Sequence, residues 1–180
     1  MEKLKKGAVL ITGTTSGVGL NTLKPLIEFG WEIIAVNRST KRAIDEANKI
    51  LKNNEIESID FVEIDLSDLN SVRDGSKDII TRFGNGLKVL ICNAAVYKPR
   101  IKRPERSAQG FENSMAVNHF GHFLLINLLL ESLLNSDERI ILNGEVVEFT
   151  PRITILGTVT ANYLEFGGRI PIPAPANLGD

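Results

Sequence analysis

Cysteine is all but missing from this sequence: Cys92 stands alone among 180 residues. That excludes an internal disulfide and leaves too few thiolates for an iron–sulfur cluster, and it suits a reducing compartment. Histidine is equally sparse. His119 and His122 are the only two, and although they are spaced i, i+3, no further Cys or His lies near them. They read as packing or surface residues, and no metal site is expected. Neither sign of charge dominates, with 21 Lys+Arg against 22 Asp+Glu. The basic residues scatter apart from short runs at 3–6 and 100–106. Such a chain has no electrostatic footprint for nucleic acid or anionic lipid, so a small-molecule partner is favoured. No apolar run approaches the roughly 20 residues of a spanning helix, so no integral membrane segment is expected. The stretch before the first strand is too short for a signal or transit peptide. The expectation is a cytoplasmic chain of bacterial or viral type, with homo-oligomerisation or peripheral membrane association left open.

What is present is a regular alternation. With 43% hydrophobic residues, the chain can bury one core, and residues 1–180 are read as a single domain. Short β-rich apolar runs at 8–12, 31–37, 59–65 and 88–92 alternate with segments of helical period at 18–29, 39–51 and 67–83. This is the pattern of βαβ units on a parallel sheet covered by helices on both faces. Leu20, Leu23 and Ile27 mark the inward face of the first helix, Pro25 can kink it, and Gly30 suits its C-terminal cap. Ser39 and Ser67 are candidate N-caps. A long helix over about 111–135 is apolar on more than one side, with Phe120, Phe123, Leu124, Leu128 and Leu129, which suggests burial between the sheet and another helix or subunit. Two β-rich stretches at 139–142 and 145–149 flank Asn143-Gly144, a strong hairpin signal. Either this stretch or 153–156 supplies the fifth strand. The fold class expected is α/β, a Rossmann-type doubly wound parallel sheet in three αβα layers, incomplete on its C-terminal side.

The chemistry is concentrated at the ends of the strands. Between the first strand and first helix lies Thr12-Gly13-Thr14-Thr15-Ser16-Gly17-Val18-Gly19. Glycines there let the backbone turn tightly and approach a pyrophosphate at a helix N-terminus. Gly13, Thr15, Ser16, Gly17, Val18 and Gly19 are therefore candidate cofactor contacts. Where an acidic residue would grip the ribose hydroxyls of NAD, the second strand ends in Asn37-Arg38, followed by Lys41-Arg42. A guanidinium can hold a 2′-phosphate, so Arg38 and Arg42 favour NADPH; the alternative for Lys41 and Arg42 is a solvated helix face. Asn93-Ala94-Ala95 closes the fourth strand, where small residues let the backbone pass a cofactor and the Asn93 amide can fix loop carbonyls. Cys92 reads as an inert small hydrophobe.

The TGxxxGxG spacing resembles the short-chain dehydrogenase/reductase family. Further stretches narrow the resemblance: Asn93-Ala-Ala-Val-Tyr97, Gly110-Phe-Glu, Met115-Ala-Val-Asn118-His-Phe-Gly-His-Phe-Leu125, Leu156-Gly-Thr-Val-Thr-Ala-Asn162 and the tail GGRIPIPAPANLGD. Together they are similar to the light-dependent protochlorophyllide reductases. The front half is shared with retinol dehydrogenases; the tail, with Pro171, Pro173 and Pro175, discriminates. Residues 159–180 are read as an extended proline-rich insertion segment. The resemblance implies NADPH-dependent, light-driven reduction of the C17–C18 double bond of protochlorophyllide to give chlorophyllide. It implies that Asp65 and Leu66 flank the adenine, that Asn118 orders a water relay, that Thr158 stands in the place of the usual serine beside the nicotinamide, and that Tyr97 faces the pigment. Plainer readings of these last three are a helix-bend asparagine, a loop threonine and an exposed loop tyrosine. The family also uses a tyrosine with a lysine four residues on. Position 101 after Tyr97 is Ile and position 167 after Tyr163 is Gly, so the chain is expected to be a C-terminally truncated portion with little or no activity alone. The alternatives are another short-chain reductase of retinoid-like carbonyls, or a non-catalytic NADPH- or pigment-binding module.

Overall fold

The computed structural model describes residues 7–98, 103–136 and 138–157. Five strands form one all-parallel sheet in the order β3-β2-β1-β4-β7. They are β1 (Ala8–Thr12), β2 (Glu32–Asn37), β3 (Ile59–Glu63), β4 (Leu87–Cys92) and β7 (Arg152–Ile155). Between β4 and β7 in the chain, β5 (Arg139–Leu142) and β6 (Glu145–Glu148) make a separate antiparallel hairpin. The ambiguity over the fifth strand is thereby resolved: β7 pairs with β4, and the hairpin stays outside the sheet.

The central strands are apolar throughout because alternate side chains serve two cores. Leu10, Ile34, Val36 and Leu90 point to one face and pack with Val72, Ile79, Leu125, Leu129 and Leu133. Val9, Ile11, Ile33 and Ala35 point to the other and pack with Leu20, Leu23 and Ala47. Helix α1 (Gly17–Glu28) runs unbroken through Pro25, with Leu20 and Leu23 buried. The second helical stretch is shorter than its polar period implies. Ser39 does cap α2 (Thr40–Ala47), accepting from the Arg42 N–H, but the chain then turns, and a one-turn helix α3 (Asn53–Ile56) follows.

Ser67 is not a cap. Its N–H and hydroxyl both donate to Asp65 Oδ1, and Asp68 caps α4 (Leu69–Phe83) by accepting from the Asn70 N–H. Two adjacent oxygen-bearing residues competed for one role, and the aspartate sits at the extended position just before the first turn.

The long apolar helix is one rod of three parts. It comprises the turn α5 (Asn113–Met115), a π-helical segment Ala116–Gly121 and α6 (His122–Leu134). By length and composition the rod Asn113–Leu134 could cross a membrane, a property that its interrupted hydrophobic run concealed. Here it packs as a core helix, burying Leu125, Leu129 and Leu133 while Phe123, Leu130 and Leu134 stay exposed.

The hairpin turns at Asn143 (φ 50°) and Gly144 (φ 84°), the left-handed pair that a two-residue turn requires. It docks on the α1–β2 corner: Asn143 Nδ2 donates to the Glu28 carbonyl at 3.2 Å, and Trp31 meets Phe149 edge-on with centroids 5.1 Å apart. That corner is at the N-terminal end of β2, opposite the strand ends that form the cleft.

Candidate functional site

A cleft of about 520 Å³ opens at the C-terminal ends of the strands, at the boundary between β1 and β4. This is the crevice that an open parallel sheet leaves at the point where its strand order reverses. Gly13 begins its floor with φ 75°, and a Cβ there would meet Ala94 Cα at 2.7 Å. Gly19 is tighter still: a Cβ would fall 2.3 Å from the Gly13 carbonyl oxygen and 2.4 Å from Asn93 Nδ2. The loop is thus drawn onto the first turn of α1. No side chain caps that helix and no acidic residue occupies its first turn, so its N–H groups and the positive end of its dipole are left facing the cleft.

The loop is held by two side-chain amides, Asn93 half-buried and Asn37 buried. Asn93 Nδ2 donates to the carbonyls of Thr12 at 2.8 Å and Gly13 at 3.0 Å, as its position at the end of β4 led one to expect. Asn37 does the same work from β2: its Oδ1 accepts from the Thr14 N–H at 2.7 Å and its Nδ2 donates to the Thr14 hydroxyl at 2.8 Å. Asn37 is 4% exposed, so the residue at the acidic position of NAD-binding chains is spent on the loop. Charge at this edge comes from Arg38 and Arg42, which both line the cleft. Both are exposed, and among the described residues neither forms an ion pair.

Gly13, Thr15, Ser16, Val18, Gly19, Arg38, Arg42, Asp65, Leu66, Asn93 and Ala94 all line the cleft. Gly17 does not line it; at φ 56° it shapes the turn into α1. Tyr97 is 78% exposed and lies one residue beyond Val96, the last lining residue of the β4 loop. Asn118 is also off the lining, and its amide clamps the β4 loop: Oδ1 accepts from the Val96 N–H at 2.7 Å and Nδ2 donates to the Val96 carbonyl at 2.9 Å. Thr158 and the segment 159–180 lie outside the described residues. The lining also includes Val36, Val117 and Leu156, which sequence reasoning missed because apolar strand-end residues carry no signal distinguishing them from core.

His122 was read as packing, and it is buried, 4% exposed. It is more than filler, since its Nε2 lies 2.9 Å from the Thr12 hydroxyl. Burial, only partly opposed by the Asn118 carbonyl, holds this imidazole below the usual histidine range. No group of three or more His, Cys, Asp or Glu able to hold a metal occurs among the described residues.

A three-layer parallel sheet with a glycine-lined crevice beside an uncapped helix defines a dinucleotide-binding dehydrogenase architecture. Residues 7–150 match the family described as short chain dehydrogenase, and the chain belongs to that family. Among curated relatives it is 41% identical to a protochlorophyllide reductase, chloroplastic, of Cucumis sativus, over 98% of this chain and 41% of the relative. It is 42% identical to the chloroplastic protein of that name from Pisum sativum, again over 98% of this chain and 41% of the relative. The chain thus spans about two fifths of the length of the curated relatives it matches. These names overturn the expectation of a cytoplasmic bacterial or viral-type protein, which rested on the short stretch before β1. Among solved structures, an NADPH-bound carbonyl reductase from chicken fatty liver is 25% identical, with a TM-score of 0.58 over 72% of this chain and 52% of that one. A short chain dehydrogenase structure from Pseudomonas syringae reaches a TM-score of 0.67 over 92% of this chain and 61% of that one, at 20% identity; that likeness speaks for the fold alone.

Proposed function

We propose that this chain is the NADPH-binding portion of a light-dependent protochlorophyllide reductase. The carrying observation is the cleft: an uncapped helix N-terminus under a glycine loop, with two guanidiniums free of ion pairs among the described residues at the end of β2. The absence of a Cβ at Gly13 and Gly19 lets the loop close onto Ala94 and the first turn of α1, the close packing that brings backbone N–H groups to a pyrophosphate at a helix N-terminus. In this reading Thr15, Ser16, Gly17, Val18 and Gly19 form the phosphate cradle, Arg38 and Arg42 hold the 2′-phosphate, and Asp65 and Leu66 flank the adenine. Asn93 and Ala94 border the nicotinamide side, with Tyr97 toward the pigment.

When bound, NADPH supplies the hydride that reduces the C17–C18 double bond. The chain's own contribution is to bind and orient. The Asn118 amide holds the long helix to the β4 loop and keeps one N–H and one lone pair with which an exposed side chain can order a water. Neither tyrosine has a lysine four residues on, so this chain is assigned no proton donor, and the absent general acid is worth roughly 10²–10⁴-fold in rate.

Fluorescence titration with NADPH and NADH tests the binding step; saturable binding with clear preference for NADPH is expected, and no binding sinks the reading. Illumination of the chain with NADPH and protochlorophyllide should give little or no chlorophyllide absorption. Efficient turnover would refute the assignment of binding without proton transfer.

A further inference from the structure

We propose that His122 is a positioning residue of this site: as a neutral acceptor it fixes the Thr12 hydroxyl and, through it, the backbone at the end of β4. The proposal rests on reading the cleft as the NADPH site. A threonine hydroxyl has one proton and two lone pairs. Both lone pairs of Thr12 are taken, by the N–H groups of Asn93 at 3.0 Å and Ala94 at 2.9 Å. The proton has two destinations, the Ile91 carbonyl at 3.5 Å and His122 Nε2 at 2.9 Å, and the shorter contact is the better bond. His122 Nε2 therefore carries no proton. The ring proton sits on Nδ1, toward the Asn118 carbonyl at 3.5 Å. The other tautomer, or the imidazolium, would aim a third donor at an oxygen whose lone pairs are filled. Thr12 is fully buried, so such a mismatch would stay unrelieved.

The placement of His122 explains why this contact matters to the cleft. In and just after the π-helical segment, three residues of the long helix each touch a different strand-end loop. Asn118 clamps Val96 after β4. Gly121 passes so close to the chain after β3 that a Cβ would lie 2.2 Å from the Leu66 carbonyl oxygen. His122 reaches Thr12, the last residue of β1 and the first of the glycine loop. Leu66, Val96 and the loop residue Gly13 all line the cleft. The Thr12 hydroxyl is where the long helix, the glycine loop and the Asn93-Ala94 turn meet.

The test compares wild type with H122Q, whose amide oxygen can accept, and H122L, which cannot. Imidazole ¹⁵N shifts of the wild-type chain should show Nε2 unprotonated and Nδ1 protonated at neutral pH. Amide exchange at Asn93 and Ala94 should quicken in H122L and stay near wild type in H122Q. NADPH should bind H122L about tenfold more weakly, the scale of one lost hydrogen bond, with H122Q within about threefold of wild type. A protonated Nε2, or Asn93 and Ala94 amides equally protected in H122L, overturns the proposal; so does H122Q behaving like H122L. If wild type binds no NADPH, the cofactor reading fails, while the nitrogen shifts and amide exchange still decide the His122–Thr12 pairing.

Discussion

Cys92 ends β4 with its side chain packed in the core beside the long helix, 2% exposed. Burial pushes its thiol up to about 11, which leaves a thiolate fraction of about 10⁻⁴ at neutral pH. Iodoacetamide should therefore leave the folded chain unlabelled and modify it once urea opens the core; rapid labelling of native protein would contradict the packing. His122 makes a second prediction at this scale. Its folded-state pKa is depressed from 6.5 by burial, so the unfolded chain takes up a proton before the folded one does. Its contribution to stability is complete above the ordinary histidine range and drains away as pH falls from there toward the lowered value. Urea unfolding of wild type should lose stability as pH falls below about 6.5, and H122Q should lack that component of the loss. Equal slopes in the two proteins would show that the imidazole is not held neutral. Asn93 was legible beforehand because its place at a strand end gives its amide little else to do. Asn37 was not, because its position was read for the acid it lacks, and His122 was not, because nothing local ties the long helix to Thr12.

Elements were readable wherever one physical rule acted alone. The βα alternation, the Ser39 cap and the Asn143-Gly144 turn all follow from local periodicity or backbone preference. The choice of Asp68 over Ser67 did not, since both are good caps and the decision rests on Asp65 engaging Ser67. Nor was the π-helical segment legible, because the contacts to Val96, Leu66 and Thr12 that accompany it are tertiary. The hairpin offers a test of local reading. Asn143 holds φ 50° and also donates to Glu28, so Asn143→Ala forfeits both a residue tolerant of left-handed backbone and a hydrogen bond, at about 1–2 kcal/mol. Asn143→Gly keeps the turn and should cost less than half as much in urea unfolding. Gly19→Ala belongs to the same scale: with 2.3 Å to the Gly13 carbonyl, the added methyl must push the glycine loop off α1. NADPH affinity should fall by at least about tenfold, and undiminished binding would place the phosphates elsewhere.

For the molecule as a whole, the decisive quantity is how far the cofactor stabilises the fold. A ligand that binds only the folded state adds RT ln(1 + [L]/Kd), about 2.7 kcal/mol at a hundredfold excess over Kd. For a chain of this size each kcal/mol moves the melting midpoint by about 2–4 °C, so saturating NADPH should raise Tm by roughly 5–10 °C. NADH lacks the 2′-phosphate and should need a much higher concentration for the same shift. The difference is carried by Arg38 and Arg42, both exposed, so screening limits each to about 1 kcal/mol, or five- to tenfold in affinity. The double variant R38A/R42A should accordingly lose most of the NADPH preference while its NADH response stays unchanged and its ligand-free Tm shifts little, since neither guanidinium forms an ion pair among the described residues and Arg42 has only a weak attraction to the Glu46 carboxylate to lose. A variant that still prefers NADPH by the wild-type factor would mean that the 2′-phosphate is held by other groups.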